Sequence, residues 1–326
     1  MCRGDEMCRE DDMCRGDEMC RADEMRRADV GRNSGGRVLL LCGFGTSDAD
    51  EMERTYGKLV EEAREAALDA AREAALDVAR EAEFVASVRL ALTSPKVIGR
   101  LYRERGIRLP DVRGAVEDIL GGAAGDAAAG GALRDAAGEA ASAGETEEIR
   151  ILTVQVVGGT EFEKLEAVAD AYSGQVRISL DGPLLAGPKI DRVADLLVDE
   201  AASFQEEAIV YVGHGTHGRD PRGPAAYRKL QELIRDRGNR NILIGELQTG
   251  IEPVIRELSE KAFRRVRLCS LMMVSGHHWI EDVAGENDDS WKNVLARAGY
   301  EVTCVRTGLL ERKEVREILI GGKGVI

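Results

Sequence analysis

The chain has 326 residues, of which 44% are hydrophobic and 32% charged, and its formal net charge at pH 7 is −14. This length and composition predict one large or two small α/β domains with enough apolar material for a core. The acidic balance argues against nonspecific binding to nucleic acid, which needs a basic face. No apolar stretch approaches the roughly 20 residues that span a bilayer, and the charged N-terminus lacks an apolar signal region, so we expect a cytoplasmic protein without membrane contact.

Residues 1–36 are nearly five copies of a charged hexamer that begins as MCRGDE. The segment has too few large apolar side chains to bury a core, which predicts a disordered tail. Its four cysteines recur at every sixth residue. This spacing matches no zinc-binding pattern, although metal sensing by the four thiols is an alternative. The remaining cysteines, Cys42, Cys269 and Cys304, lie in or beside apolar runs and are predicted to be reduced core residues.

Two further segments have biased compositions. Residues 61–83 repeat AREAALD and are rich in strong helix formers, so we expect them to lengthen the first helix. Residues 121–147 are mostly Ala, Gly and Asp without periodicity, which is typical of a flexible insertion. This insertion predicts a boundary between an N-terminal α/β lobe, residues 37–148, and a C-terminal α/β lobe, residues 149–326. The last helix of the second lobe could pack on the first.

Eight short aliphatic runs predict β-strands, and most are separated by an amphipathic segment of helix length, as in parallel βαβ units. The runs are Arg37–Cys42, Phe84–Ala91, Ile149–Val157, Val176–Leu180, Ala208–Val212, Asn241–Ile244, Arg265–Met272 and Glu301–Val305. The chain is therefore predicted to have an α/β fold.

Two of these strands end in the same G-x-G-T pattern, Gly43-Phe44-Gly45-Thr46 and Gly213-His214-Gly215-Thr216. The repetition predicts two similar Rossmann-like lobes whose parallel sheets face a central cleft. Open α/β sheets bind ligands outside the carboxyl ends of their strands, so both turns should border that cleft. A dinucleotide loop is disfavoured, because its third glycine would fall on Asp48, and the chain has no P-loop.

All four histidines lie in the segments 212–218 and 274–279, which follow predicted strands. Imidazole titrates near neutrality and is the commonest ligand of borderline divalent metals. His214, Glu246 and His278 follow three different strands, so we expect two imidazoles and a carboxylate to form a metal site with open coordination positions. The alternatives are two unrelated polar loops and a Glu246 that interacts with the N-terminus of the next helix.

The other two histidines are His217 and His277. His217 lies three residues after His214 in a glycine-containing loop. Both are predicted to support the site or to face the substrate rather than to bind the metal.

Several motifs occur in an order that resembles one known family. They are GFGTS at 43–47, LTSPKVIGRLYRERGI at 92–107, GGTEFEKL at 158–165, GPLL at 182–185, VGHG at 212–215, Glu246, and LMMVSGHHWIEDVAGENDDSWK at 271–292. The chain resembles the anaerobic cobalt chelatases of cobalamin biosynthesis, the CbiK type of sirohydrochlorin cobaltochelatase. The resemblance implies the class II chelatase fold, which this family shares with ferrochelatase.

The same resemblance implies that the protein inserts Co²⁺ into sirohydrochlorin with release of two protons. Its metal ligands would be His214, Glu246 and His278, and His214 would also be the base. Sirohydrochlorin and Co²⁺ are then the substrates, with Co²⁺ also the bound ion, and we expect no organic cofactor, nucleic acid or membrane as a partner. The oligomeric state is open, a homo-oligomer being one option.

The candidate substrate-binding residues are the turn Gly43, Phe44, Gly45, Thr46 and Ser47, together with Arg89 and Lys96. Arg89 and Lys96, with Arg100 and Arg103, would form a basic rim for the carboxylates of the substrate, or else a solvated helix face. Gln155 stands where members of the family often carry a histidine, which leaves the role of that histidine open in this chain.

Three other functions compete with cobalt insertion. The same fold could insert Fe²⁺ or Ni²⁺, because histidine and carboxylate ligands accept all three ions. The protein could also carry a metal or a tetrapyrrole without catalysis. A metal-dependent hydrolase is disfavoured, because neither a nucleophile elbow nor an H-E-x-x-H motif is present.

Overall fold

The computed structural model describes residues 36–76, 85–121, 146–216 and 220–321. Its strands are β1 (Gly36–Gly43), β2 (Val85–Leu92), β3 (Thr146–Val154), β4 (Arg177–Leu180), β5 (Glu207–Gly213), β6 (Ile242–Glu246), β7 (Arg265–Ser270) and β8 (Glu301–Val305). They form two parallel sheets, in the orders β2-β1-β3-β4 and β6-β5-β7-β8. All eight predicted strands form, and each sheet has the same order when its strands are counted from its own start.

The helices connect these strands. They are α1 (Ala49–Met52), α2 (Lys58–Leu76), α3 (Pro95–Arg105), α4 (Val112–Leu120), α5 (Thr160–Tyr172), α6 (Lys189–Ala201), α7 (Arg222–Asp236), α8 (Glu252–Ser259), α9 (Trp291–Arg297) and α10 (Lys313–Ile320). Two π-helical turns, Glu53–Gly57 and Trp279–Val283, and the 3₁₀ turn Leu309–Glu311 complete the described elements. Among the helices in the described ranges, none has the length and apolar character needed to cross a membrane.

Alternation along the strands divides the core into layers. Leu39 and Leu41 of β1 and Tyr211 of β5 belong to a central core between the sheets, which α2, α6, α7 and α10 complete. The opposite faces of the strands form two outer cores, one under α4 and α5 and the other under α8 and α9. The free thiols Cys42 and Cys269 are buried in these layers, and Cys304 is partly buried.

The predicted lobe boundary at residue 148 is wrong. The strands β3 and β4, which reach Leu180, pair with β1 in the first sheet, so the change from one sheet to the other falls between β4 and β5. The Ala/Gly-rich insertion therefore interrupts the connection from α4 to β3 within the first lobe. Composition revealed the insertion, but strand pairing defines the lobe.

The other segments of biased composition are only partly described. The helix α2 covers residues 61–76 of the AREAALD segment and ends at Leu76. Residues 77–83 of that segment, residues 122–145 of the insertion and residues 1–35 of the repeat tail lie outside the described residues.

The last helix, α10, follows the second sheet but packs on the first lobe. Arg316 of α10 is only 5% exposed and makes a bidentate ion pair with Glu62 of α2, at 2.6 and 2.9 Å. Its third nitrogen donates a hydrogen bond to the carbonyl of Leu310 at 2.7 Å. The helix α10 thus connects the second lobe to the first, which is the packing that the sequence analysis allowed for the last helix.

We predict that Arg316→Ala lowers the free energy of unfolding by about 3 kcal/mol, because it leaves the Glu62 carboxylate and a buried carbonyl without their partner. Urea denaturation followed by circular dichroism measures the change. The matched control is Lys313→Ala, which removes an exposed ion pair with Glu317 and should cost less than about 0.5 kcal/mol. Equal, small losses in both variants would contradict a structural role for the buried pair.

Candidate metal centre

The loops that follow the central strands of each sheet meet between the two lobes. A Cβ atom on Gly276, after β7, would lie 3.9 Å from Oγ1 of Thr46 and 3.7 Å from Oε2 of Glu51, both after β1. In the same way, a Cβ on Gly159, after β3, would lie 3.2 Å from Cγ2 of Thr216, after β5. The carboxyl ends of both sheets are therefore directed toward one interface, where α/β proteins bind their ligands.

Each of the two G-x-G-T turns is held by a buried tyrosine. The N–H of Gly45 donates to the hydroxyl of Tyr56 at 3.2 Å, and the N–H of Gly215 donates to that of Tyr227. Gly45 and Gly215 have φ angles of 82° and 81°, a left-handed conformation that favours glycine. Burial raises the pKa of Tyr56 to about 12 and also raises that of Tyr227, so both hydroxyls keep their protons at neutral pH. The two turns thus have the same backbone shape and the same support.

The turn after β5 places His214 beside His278. Their ring centroids are 4.6 Å apart, with an angle of 69° between the planes. Nδ1 of His214 lies 3.2 Å from the carbonyl oxygen of Gly215, and Nδ1 of His278 lies 2.7 Å from Oδ2 of Asp282. When these Nδ1 atoms carry protons, both imidazoles have their lone pair on Nε2, the arrangement typical of metal-binding histidines.

His278 is positioned by the π-helical turn that follows it rather than by a strand. The strand β7 ends at Ser270, two residues before the predicted end at Met272, and residues 271–277 separate the strand from His278. Trp279 and Val283 are buried in the outer core of the second lobe, at 1% and 0% exposure. Their neighbours His278 and Asp282 share the same four-residue spacing and lie on the exposed side of this turn.

Glu246 is the last residue of β6 and pairs in register with Gly213. Side chains alternate between the two faces of a strand, and Ile242 of β6 lies in the central core. Glu246, four residues later, is therefore on the same inner face of the sheet. Its negative charge there adds to the effect of burial in raising the pKa of Tyr227. Burial raises the pKa of Glu246, and the nearby Arg228 opposes the shift. In the described ranges, no three His, Cys, Asp or Glu side chains are close enough together to hold an ion. The structure therefore brings together the two histidines, but not Glu246, in a single group.

Of the other two histidines, the structure describes only His277. His277 is exposed, and its ring centroid is 5.9 Å from that of His278. His217 lies outside the described residues.

The candidate substrate-binding residues separate into two sets. The turn Gly43–Ser47 lies at the lobe interface, where Thr46 is buried and donates to Glu51 at 2.8 Å, and where Phe44 is 50% exposed. Lys96 is exposed in the first turn of α3, beside the end of β2.

The expectation that Arg89 belongs to an exposed basic rim is wrong. Arg89 lies inside β2, in register with Leu40, and only 4% of it is exposed. Leu40 faces the outer core under α4 and α5, so alternation places Arg89 on that covered face. Arg100 and Arg103 are exposed on α3 with Lys96.

Sequence reasoning singled out Gln155 but missed two other polar groups at the strand ends. Within the described chain, Oγ1 of Thr93, Nε2 of Gln155 and Oγ of Ser275 are buried and have no hydrogen-bond partner. They follow β2, β3 and β7, beside the two lobes' interface. The residue types of Thr93 and Ser275 carried no signal in sequence, because Ser and Thr are common in any loop.

Sequence reasoning also missed an ion pair between the lobes. Arg222, which begins α7 in the second lobe, makes a bidentate pair with Glu166 of α5 in the first lobe, at 2.7 and 2.9 Å. It also binds Asp220 at 2.8 Å, and hydrogen bonds from its backbone N–H and guanidinium lower the pKa of Asp220. Arg222 therefore joins the end of the loop that begins at His214 to the opposite lobe.

The parallel sheets with the same strand order, and the histidine pair where their loops meet, define a two-lobed α/β protein of the class II chelatase fold. SirB from Bacillus subtilis with Fe³⁺ has a similar structure, with a TM-score of 0.52, 13% sequence identity, and coverage of 88% of this chain and 93% of that one. At this identity the similarity shows the fold alone. The model of the family Cobalt chelatase (CbiK) matches residues 132–322, more than half of the chain, and the chain belongs to this family. The fold class and the family predicted from the sequence are confirmed.

Two curated relatives carry a specific activity in their names. Sirohydrochlorin cobaltochelatase CbiKC of Nitratidesulfovibrio vulgaris is 30% identical over 171 residues, which cover 50% of this chain and 59% of the relative. Sirohydrochlorin cobaltochelatase of Salmonella typhimurium is 26% identical over 178 residues, which cover 53% of this chain and 66% of the relative. The matched part thus spans less than two thirds of either relative.

We predict that Glu246→Gln stabilises the metal-free protein at neutral pH. Because burial raises the folded-state pKa of Glu246 above its value in the unfolded chain, the folded state loses stability as pH rises from the unfolded pKa through the folded one. Glutamine has no such dependence. The gain in melting temperature over the wild type should therefore grow with pH across this interval and then level off. A gain that is independent of pH, or a loss at every pH, would contradict the burial effect.

Proposed function

We propose that the protein inserts Co²⁺ into sirohydrochlorin and releases two pyrrolic protons. The observation that carries the proposal is the pair of His214 and His278, held 4.6 Å apart between the lobes of a chain in the cobalt chelatase family. The relatives' names supply the substrate and the metal.

In this proposal, Co²⁺ enters as a substrate and binds to His214, Glu246 and His278. The two imidazoles are already adjacent, and the Nδ1 contacts to Gly215 and Asp282 orient their rings. Glu246 completes the set by turning from the inner face of β6 toward the histidines. Two nitrogens and one oxygen leave coordination positions open, which the pyrrolic nitrogens of the substrate can enter.

His214 is proposed as the base as well as a ligand. A nitrogen that coordinates the ion cannot accept a proton at the same time. We therefore place proton acceptance after the transfer of the ion to the ring, when the lone pair of the imidazole is released. General base catalysis of this kind contributes about 10²–10⁴-fold to a rate.

The carboxylates of sirohydrochlorin need basic or neutral donors in this acidic protein. Lys96 at the start of α3 and the buried donors of Thr93 and Gln155 lie at neighbouring strand ends and fit this need. Gln155 then supplies an amide donor at the position where the family often has an imidazole.

The test is the visible absorbance of sirohydrochlorin mixed anaerobically with Co²⁺, Fe²⁺ or Ni²⁺, with and without the protein. We expect faster metallation with Co²⁺ than with the other ions. His214→Ala should slow the reaction by about 100-fold or more, because it removes both a ligand and the base. Lys313→Ala, which changes an exposed residue of α10 outside the candidate site, should react at the wild-type rate.

Two outcomes would contradict the proposal. A higher rate with Fe²⁺ or Ni²⁺ would change the metal and keep the chelatase. A ring that binds without any acceleration would make the protein a carrier of tetrapyrrole or metal.

We also predict that Asp282→Asn weakens Co²⁺ binding by about 10- to 100-fold, because the carboxylate orients the His278 ring. Equilibrium dialysis of the ion alone measures this effect. Glu281→Gln removes the same charge one residue earlier and is the matched control. Equal losses in the two variants would show a general charge effect in place of an effect on His278.

A further inference from the structure

We propose that Arg222, through its ion pair with Glu166, is a positioning residue that holds His214 at the distance from the first lobe at which Co²⁺ passes to the ring. This inference rests on the proposed function and adds to it a residue whose role requires contact with neither the ion nor the ring.

The first support is the geometry of the ion pair. The two Nη atoms of Arg222, at the start of α7, donate to the two carboxylate oxygens of Glu166 on α5 at 2.7 and 2.9 Å. Nε donates to Asp220 at 2.8 Å, and the guanidinium carbon lies 5.3 Å from the ring centroid of Phe162, also on α5. A bidentate pair restricts both distance and angle, and the arene adds a cation–π contact. The guanidinium is thus engaged on both sides of the boundary between the lobes.

The second support is the close packing of backbone beside this pair. A Cβ on Gly158, before α5, would lie 3.3 Å from Cβ of Arg222, and a Cβ on Gly159 would lie 3.2 Å from Cγ2 of Thr216. A Cβ on Gly223 would lie 2.2 Å from the same atom of Thr216 and 3.0 Å from the carbonyl oxygen of Gly158. Three glycines therefore let the start of α7, the turn after β5 and the first lobe meet without side chains between them. Contacts this tight transmit a shift of α7 to Thr216.

The third support is that α7 holds the turn of His214 at two places. Gly223 packs on Thr216, two residues after His214, and Tyr227 accepts the hydrogen bond from the N–H of Gly215. The position of α7 therefore sets the position of the imidazole. Because the ion pair fixes the start of α7 to α5, it also fixes the imidazole relative to the first lobe.

This arrangement predicts a selective effect on one step. The proposed ligands His214, Glu246 and His278 all lie in the second lobe, so the ion can bind there without the ion pair. The ring lies between the lobes in the proposed function, so transfer of the ion depends on the separation of the lobes. A misplacement of about 1 Å, caused by a change far from the reacting atoms, can cost about 100-fold in rate. Loss of the ion pair should therefore slow transfer and leave Co²⁺ affinity unchanged.

The experiment compares Arg222→Ala, Glu166→Ala, their double variant and Arg222→Lys in the full chain. Insertion of Co²⁺ into sirohydrochlorin gives kcat, and equilibrium dialysis gives the affinity for Co²⁺ alone. Each single alanine variant should lower kcat by about tenfold or more, and the double variant should lose no more than Arg222→Ala does, because the two residues act through one contact. Arg222→Lys keeps the charge without the planar fork and should recover part of the rate.

The matched control is Arg235→Ala. Arg235 lies on the same helix and pairs with Glu257 at 2.9 Å, and its side chain is 47% exposed against 46% for Arg222. Both partners of the control pair lie in the second lobe, so its loss should leave kcat at the wild-type value. An equal fall of kcat in Arg235→Ala would show a general effect of removing an ion pair and would overturn the inference.

The remaining outcomes separate the inference from the proposed function. If Glu166→Ala keeps the wild-type kcat, the link between the lobes has no role, and the inference is overturned while the chelatase proposal stands. Loss of Co²⁺ affinity in Glu166→Ala would also overturn it, since the pair would then act on the metal site itself. If the wild type does not accelerate metal insertion, the chelatase proposal fails, and this inference fails with it.

Discussion

A buried tyrosine hydroxyl holds each of the two glycine turns, and the positions of Phe44 and His214 depend on that contact. In the tight approach of Gly213 to Tyr227, a Cβ on the glycine would lie 2.7 Å from the tyrosine ring and hydroxyl. Only glycine therefore allows the strand to end against the tyrosine. A buried hydroxyl left without its partner costs about 1–3 kcal/mol, so glycine and tyrosine stabilise each other's placement. The residue between the two glycines is held at the carboxyl edge of the sheet.

The candidate site combines this rigid support with an incomplete ligand set. His214 and His278 are adjacent and oriented, whereas Glu246 remains on the inner face of β6, where burial raises its pKa. A protein that must release its ion to a substrate gains nothing from a closed coordination sphere. Under the proposed function, the Glu246 carboxylate would be costly to ionise without the metal and would join the two imidazoles only with it, which suits transfer of the ion better than its storage.

Much of this architecture could be predicted from the sequence, because aliphatic runs mark buried parallel strands and the repeated G-x-G-T pattern marks a repeated lobe. The rule that parallel strands end at a common edge predicted that His214 and His278 lie near each other. Their rings are 4.6 Å apart, but the π-helical turn after His278, and not the end of β7, positions that residue. The lobe boundary could not be predicted, since an Ala/Gly-rich insertion carries no information on which strands pair. Arg89 was misjudged because proximity in sequence to a strand end does not reveal which face of the sheet a side chain occupies. Tyr56 and Tyr227 gave no signal, because their contact with the glycine turns exists only in the folded chain.

The most direct test of this account is anomalous scattering at the cobalt edge from crystals soaked in Co²⁺. We predict one strong peak within bonding distance of Nε2 of both His214 and His278, with the Glu246 carboxylate turned toward it. A peak elsewhere, or one bound by a single imidazole with Glu246 still beside Tyr227, would contradict the proposed metal site.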